Sequence, residues 1–116
     1  MNDGSWNIPS EDYVDNIEAM IKSIQKNCPN ADIIVAATIL ANPASAQNKG
    51  QENYLAPLKA MVEQYSNTAL LDMTTFSKDL LRHKSSFELY ANNINHPCDY
   101  MVRNYTANLL NLIEVK

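Results

Sequence analysis

The chain has 116 residues, of which 46% are hydrophobic and 19% charged, a balance typical of one globular domain rather than of a disordered segment. Nine basic and thirteen acidic side chains give a net charge of −4, without the basic stripe that marks a nucleic-acid-binding protein. No apolar run approaches the ~20 residues that span a bilayer, and the polar first residues do not predict a signal peptide. Nucleic-acid-binding and membrane-spanning classes are therefore not expected, and the compartment stays open.

The two cysteines, Cys28 and Cys98, have neither a metal-binding nor a redox spacing. Cys28 is predicted to precede a strand at the bottom of a sheet, whereas Cys98 follows a loop at its top. Because a disulfide needs Cα atoms within ~7 Å, we predict two free thiols. No cofactor and no metal ion is expected.

The first half of the chain predicts a helix, a strand and a loop. Ser10 is expected to cap a helix that stops at residues 27–30, and its apolar side chains recur at three- and four-residue spacing: Tyr13, Ile17, Met20, Ile21 and Ile24. Residues 33–40 form an apolar run without alternation, which is typical of a parallel strand buried on both faces. Residues 41–50 carry turn signals and predict a polar loop.

The second half predicts a helix, another strand and two further helices. The first of these helices has Pro57 in its first turn and an apolar face made of Tyr54, Leu55, Leu58, Met61, Val62 and Tyr65. Residues 68–73 predict a second parallel strand, followed by a short helix that Thr74 or Thr75 caps, with Phe76, Leu80 and Leu81 inward. After a loop at 83–95, Asp99 is expected to cap the last helix, whose buried stripe is Met101, Tyr105, Leu109, Leu112 and Ile113.

The element order predicts an α/β layered domain over residues 1–116 with a right-handed βαβ unit. Only two strands are predicted, and two strands of the buried type leave apolar faces and at least one edge uncovered. The pattern therefore favours part of a larger doubly wound sheet, with two parallel strands and about four helices.

A histidine and several amides lie together at residues 92–99, in the order Asn-Asn-Ile-Asn-His-Pro-Cys-Asp. His96 is one of two histidines, and an imidazole suits a general base because its charge changes near neutral pH. The alternative is a surface loop whose Asn and Asp side chains form turns and a helix cap. The other histidine, His83, follows a predicted helix and is assigned no catalytic role.

Both ends of the chain resemble the SGNH, or GDSL-type, serine esterases and acylhydrolases. Met1-Asn2-Asp3 is similar to the last three positions of the family's Gly-x-Asn-Asp segment, and Asn93-Ile94-Asn95-His96-Pro97 stands in place of its Asp-x-x-His block. The resemblance implies a flavodoxin-like, three-layer SGNH hydrolase fold, of which this chain would be the C-terminal portion.

The resemblance also implies roles for three residues. His96 would be the general base, Asn2 would donate to the oxyanion hole, and Asn93 would occupy the position of the acid that orients the histidine. An amide oxygen can accept from imidazole Nδ1–H but cannot offset the charge of the imidazolium. Glu88 and Asp99 are alternative acids, although Asp99 is more plausible as a helix cap.

The family's nucleophile lies in a Gly-Asp-Ser block that this sequence does not contain. Ser5 is not expected to replace it, because no strand precedes Ser5 to form the sharp turn that presents a nucleophile. The first hypothesis is therefore an acyl-ester hydrolase fragment that supplies the base and an oxyanion Asn. Its substrate in the intact domain would be an ester such as an acylated carbohydrate or lipid.

The alternative hypothesis is a non-catalytic α/β module that forms a homodimer, or pairs with a partner chain such as an N-terminal half of the same domain. Its motivation is the unpaired strand edge at residues 33–40, which pairing would bury. Under either hypothesis the isolated chain is expected to lack meaningful esterase activity.

Overall fold

In a computed structural model, the structure describes residues 2–114. Within that range the chain forms six α-helices, two strands and one 3₁₀ turn at Gln51–Tyr54. The elements in chain order are α1 (Asn2–Ser5), α2 (Ser10–Asn27), β1 (Ile33–Ala36), α3 (Leu55–Val62), β2 (Thr68–Leu71), α4 (Met73–Leu80), α5 (Ser86–Leu89) and α6 (Asp99–Glu114). The prediction of a mixed α/β domain with two parallel strands is confirmed.

The sheet consists of β1 and β2 paired in parallel, with Ile33 opposite Thr68 and Ala36 opposite Leu71. The Ile33 amide donates to the Asn67 carbonyl at 2.8 Å, and the Ala37 amide donates to the Leu71 carbonyl at 2.9 Å. Because backbone groups alternate in direction along a parallel strand, residues 33, 35 and 37 face β2. The N–H and C=O groups of residues 34 and 36 consequently face the other edge of β1, where no strand of the described chain pairs with them.

Helix α2 forms where the apolar periodicity predicts it. Glu11 and Asp12 lie in its first turn and Lys26 in its last, so charged side chains complement the helix dipole at both ends. The predicted cap is wrong, because Ser10 is the first helical residue and Pro9 takes the cap position without a side-chain hydrogen bond.

Two apolar clusters lie on opposite faces of the sheet. The first joins β1 to α2 and α3 and contains Ile21, Val35, Ala37, Leu58, Met61 and Val62. The second lies among α4, α5 and α6 and contains Ile39, Leu71, Met73, Leu89, Tyr90 and Met101. Leu70 packs against the first cluster and Leu71 belongs to the second, so β2 contacts apolar side chains on both faces. The prediction of a strand buried on both faces at residues 33–40 is wrong for β1, because Ile34 and Ala36 are exposed.

The first strand is shorter than the apolar run, because side chains replace the strand partner beyond residue 37. Thr74 Oγ1 donates to the Thr38 carbonyl at 2.6 Å, and the Leu40 amide donates to Ser77 Oγ at 2.9 Å. Tyr90 Oη donates to the Leu40 carbonyl at 2.6 Å. Thr74 and Ser77 are fully buried, whereas the sequence had predicted only apolar side chains on the inner face of α4.

Three further predictions need correction. Helix α4 begins at Met73 and Asp72 caps it, since Asp72 Oδ1 accepts from the Thr75 amide at 2.8 Å. Asp99 is the first residue of α6 rather than its cap. The predicted loop at 83–95 contains α5. The prediction of free thiols at both cysteines is confirmed.

Parts of the predicted helical stripes are exposed. Met20 and Ile24 of α2 are 54% and 42% exposed, and Ile113 of α6 is 53% exposed. Ile34, on the strand β1 itself, is 39% exposed. The helices therefore cover the β2 side of the sheet more completely than the free edge of β1.

The buried phenol of Tyr90 makes alkaline stability testable. Burial raises the pKa of Tyr90 to about 12. Below pH ~10 the phenol is neutral in both the folded and the unfolded protein, so the free energy of unfolding does not depend on its ionisation. As pH rises from ~10 to ~12 the phenol ionises in the unfolded protein first, and the free energy of unfolding falls by up to about 2–3 kcal/mol. Tyr90→Phe should cost about 1 kcal/mol at pH 7 by removing the bond to Leu40, yet lose less stability at alkaline pH. Urea unfolding at pH 7, 9 and 11 measures both effects, and equal alkaline losses in both proteins would contradict the assignment.

Candidate active site

A cleft of ≈ 500 Å³ opens at the carboxyl end of β1. Five parts of the chain line it: Asp3 of α1, Tyr13 and Ile17 of α2, residues 36–39 at the end of β1, Asn95 with Pro97 from the histidine-containing loop, and Tyr105 of α6. In open α/β sheets, ligands bind outside the carboxyl ends of the strands. We call this space the β1-end cleft.

Helix α1 reaches the cleft because it packs closely on the 3₁₀ turn. Gly4 is buried against Gln51, and a Cβ on Gly4 would lie 2.8 Å from Gln51 Cγ, so only glycine permits this approach. Gln51 is fully buried and its Nε2 donates to the Gln47 carbonyl at 2.6 Å. Ser5 Oγ donates to the same carbonyl at 3.3 Å. The sequence did not predict this helix, since residues 1–9 have no apolar periodicity.

Two tyrosines contribute to the wall of the cleft. Tyr13 stacks on Tyr54 with ring centroids 4.4 Å apart, and burial together with the charge of Asp3 raises the pKa of Tyr13. Burial likewise raises the pKa of Tyr105, which comes from α6. Both phenols are therefore protonated at neutral pH, and each offers the cleft an aromatic ring with a neutral hydroxyl.

The loop that carries His96 is organised around one amide. Asn92 Oδ1 accepts from the backbone amides of Ile94, Asn95 and His96 at 3.0, 2.9 and 3.0 Å. The loop closes where the Ala91 amide donates to the His96 carbonyl at 2.8 Å. We call residues 91–97 the histidine loop.

The expected bond between Asn93 and the His96 ring is not formed. Asn93 has a left-handed φ of 54°, and its carbonyl accepts from Asn42 Nδ2 at 2.7 Å, while its side-chain Oδ1 lies 3.4 Å from the same nitrogen. The His96 side chain is exposed, and within residues 2–114 its ring makes no hydrogen bond or ion pair. The histidine is therefore presented to solvent without an orienting partner from the described chain.

The alternative acids are engaged elsewhere. Glu88 Oε2 accepts from the Ser85 amide at 2.9 Å and from Ser85 Oγ at 3.0 Å. These bonds, with the charge of Lys84, hold the pKa of Glu88 below its ordinary value, and they cap α5. Asp99 is exposed in the first turn of α6, where a carboxylate suits the helix dipole. Neither carboxylate bonds to His96 in the described part of the chain.

The other predicted residues lie as follows. Asn2 is exposed in α1, and its carbonyl accepts from the Trp6 amide at 2.9 Å. Asp3 lines the β1-end cleft, whereas Asn2 and His96 are sequence neighbours of lining residues and do not themselves line it. Ser5 is buried and directed to Gln47, so it does not act on His96 in this structure. Met1 of the predicted Met-Asn-Asp segment lies outside the described residues.

Sequence reasoning missed Asn42, which it treated as part of a turn. Asn42 is only 8% exposed, and its backbone amide donates to the Ile94 carbonyl at 2.7 Å, in addition to its side-chain bond to Asn93. Its Oδ1 accepts from the Ala44 amide at 3.0 Å. The sequence feature that could have identified Asn42 is its position just after the apolar run at residues 33–40.

Comparison of the chain with models of known families, with curated proteins and with solved structures finds no match. Among residues 2–114, no three His, Cys, Asp or Glu side chains are grouped so that they could hold a metal ion. No helix in the same range combines the length and apolarity needed to cross a membrane. A function for this protein is therefore inferred from the geometry of the β1-end cleft and of the histidine loop.

The left-handed backbone at Asn93 predicts an asymmetry between two substitutions. Asn93→Ala should destabilise the fold by about 1 kcal/mol or more, because alanine tolerates positive φ less well than asparagine does, whereas Asn93→Gly should be close to neutral, because glycine has no Cβ. Asn7, with φ 55°, provides a matched position at which the same asymmetry is expected. Urea unfolding measures all four variants. Equal costs for alanine and glycine at Asn93 would show that the loop has a different conformation in solution.

Proposed function

We propose that the chain supplies the base and an oxyanion donor of an SGNH-type acyl-ester hydrolase. The observation that carries the proposal is the convergence of two segments at the β1-end cleft. Asp3 comes from the Asn-Asp segment, and Asn95 and Pro97 come from the Asn-His-Pro block at the opposite end of the sequence. These are the two segments on which the resemblance to the family rests.

In the proposed reaction, a serine hydroxyl from outside these 116 residues attacks the ester carbonyl carbon. His96 takes the hydroxyl proton and then gives it to the leaving alcohol as the carbon–oxygen bond breaks. Asn2 donates a hydrogen bond to the oxygen that becomes negatively charged. Water then attacks the acyl-serine by the same proton path and releases the carboxylic acid.

Two features of the cleft support a small ester as substrate. Tyr13 and Tyr105 provide aromatic rings with neutral hydroxyls, and Ile17 and Ile39 add apolar surface to the same wall. A pocket that is mostly apolar with a few polar groups is the usual form of a small-molecule site. Asp3 is an acidic side chain on that wall, so it disfavours a second negative charge on the acyl group.

The role proposed for His96 can be tested in a chimeric domain. The nucleophile-bearing half of a characterised SGNH esterase would be fused to this chain, and p-nitrophenyl acetate hydrolysis measured. His96→Ala should lower kcat by about 10³-fold or more, because the nucleophile loses its base.

His83→Ala is the matched control, since His83 is the other histidine and is exposed beyond the end of α4. It should leave the rate unchanged. The unfused chain should show no saturable hydrolysis. Saturable activity of the unfused chain that His96→Ala abolishes, or an active chimera indifferent to His96→Ala, would each refute the proposal.

A second candidate function is self-association through the free edge of β1. A groove of ≈ 250 Å³ runs along this edge, between the strand and α2, and exposed side chains of Met20, Ile24 and Ile34 border it. Residues 33–41 carry no charge and no proline, so the edge lacks the charged side chains and prolines that usually prevent an edge strand from pairing with another chain. We call this space the β1-edge groove.

We infer that the occupant of this edge is a second copy of the chain, because the edge is self-complementary. A two-fold axis at Val35 would place Ile34 of one copy opposite Ala36 of the other, in antiparallel register. Both residues turn their N–H and C=O groups to this edge, so each opposed pair exchanges two hydrogen bonds. The same axis brings the two α2 helices side by side, so the exposed Met20 and Ile24 cover each other.

Sedimentation at micromolar concentration tests this candidate. The chain should sediment as a dimer, and Met20→Lys should shift it to monomer, because a charge enters the apolar junction. Ala36→Pro should do the same by removing a donor that faces the free edge. Phe87→Lys, at an exposed apolar side chain on α5, is the control and should remain dimeric. A folded monomer in the wild-type chain would rule the dimer out.

A further inference from the structure

The histidine loop is held at its base, where the Asn93 amide donates to the Tyr90 carbonyl at 3.0 Å and the Cys98 amide donates to the Leu89 carbonyl at 2.9 Å. Away from that base, its hydrogen-bonded contact with the rest of the described protein is Asn42. Its backbone amide donates to the Ile94 carbonyl at 2.7 Å, and its side-chain Nδ2 donates to the Asn93 carbonyl at 2.7 Å. The other hydrogen bonds of residues 91–97 run within the loop or to Tyr90 at its start.

The loop is rigid by itself. Three consecutive amides, of residues 94 to 96, converge on Asn92 Oδ1, and the Ala91 amide closes the ring of bonds on the His96 carbonyl. A segment with this internal network keeps its shape when an external contact is lost. Its place relative to the sheet, by contrast, depends on what holds it from outside.

Asn42 is itself held firmly. It is more than nine-tenths buried, and its Oδ1 accepts from the Ala44 amide at 3.0 Å, which fixes the direction of the side-chain amide. The segment before Asn42 is held at residue 40, where the amide is bonded to Ser77 Oγ and the carbonyl to Tyr90 Oη. The carboxyl end of β1 is thus connected through a short buried segment to the histidine loop.

We propose that Asn42 is a positioning residue that sets where the rigid histidine loop, and with it His96, lies beside the β1-end cleft. The inference rests on the proposed function for the role of His96, but the contact between Asn42 and the loop is independent of any activity. Asn42 acts through the carbonyls of Asn93 and Ile94 and has no contact with the imidazole ring.

Nuclear magnetic resonance on the full chain tests the proposal. In Asn42→Ala, exchange of the residue 42 amide should accelerate by about fivefold or more, because the Nδ2 bond that holds the loop in place is lost. The His96 ring signals should shift and broaden as the loop samples more than one position. The amides of residues 94 to 96 should keep their wild-type exchange relative to one another, because the Asn92 bonds remain.

Asn42→Asp is the second variant, since it retains the acceptor for the Ala44 amide but loses the donor to the loop. It should loosen the loop as Asn42→Ala does, and it keeps the test decisive if the alanine variant fails to fold. Ser45→Ala is the control, because Ser45 Oγ accepts from the Gln47 amide in a neighbouring turn and, among residues 2–114, has no bond to the histidine loop. It should leave the His96 signals unchanged.

Unchanged His96 signals in both Asn42 variants would overturn the inference. Loss of the bonds to Asn92 Oδ1 in these variants would overturn it too, because Asn42 would then be needed for the loop to fold and not merely for its position. A wild-type chimera without activity, together with a loosened loop in the unfused Asn42→Ala chain, would instead count against the proposed function alone. The two ideas are therefore separable by experiment.

Discussion

The parallel pairing of β1 with β2 is the constraint on which the rest of the structure depends. It uses the backbone groups of residues 33, 35 and 37 and leaves those of residues 34 and 36 facing an open edge. Because each strand residue pairs with one neighbour only, this alternation decides where another strand can be added. β2 ends opposite Ala36, whereas the buried apolar run continues beyond it. The backbone N–H and C=O groups of that continuation therefore need hydrogen-bond partners other than a strand.

Side chains from the second apolar cluster provide those partners. Thr74, Ser77 and Tyr90 bond to the backbone of residues 38 and 40, and all three are buried. An unpaired buried carbonyl or amide costs about 1–3 kcal/mol, so this polar set is what permits an irregular chain inside the protein. The irregular chain then brings Asn42 against the histidine loop. The position of the candidate site is thus a consequence of how the strand ends.

The elements that could be predicted from the sequence are those whose signal is local. The three- and four-residue apolar spacing predicted the first residue of α2 to within one position. The apolar runs predicted two parallel strands that begin at Ile33 and Thr68, as observed. The end of β1 could not be predicted, because it depends on Thr74 and Ser77, which lie far along the chain. The exposure of Met20 and Ile24 was missed for a related reason: periodicity identifies an apolar face but not whether anything covers it.

The candidate site was predictable in part. The sequence pointed to Asn92–Asp99 as a unit, and the structure shows a loop organised by Asn92, but Asn93 does not bond to the His96 ring and bonds to Asn42 instead. Asn93 adopts positive φ and turns to Asn42, an arrangement that depends on contact between segments about fifty residues apart. Sequence alone gives the residue types in a loop, whereas the direction of each side chain follows from tertiary contacts.

The free edge and the cleft are parts of one surface, because Ile17 and Ala36 line both the β1-edge groove and the β1-end cleft. Whatever pairs with β1 must therefore also form a wall of the cleft, and its direction decides what it brings. A parallel strand would end beside the cleft, where the proposed reaction requires its nucleophile. An antiparallel copy would instead begin there and would place its Asp32 opposite Thr38. The proposed hydrolase and the proposed self-association therefore use the same free edge of β1, and they differ in the direction of the strand that would cover it.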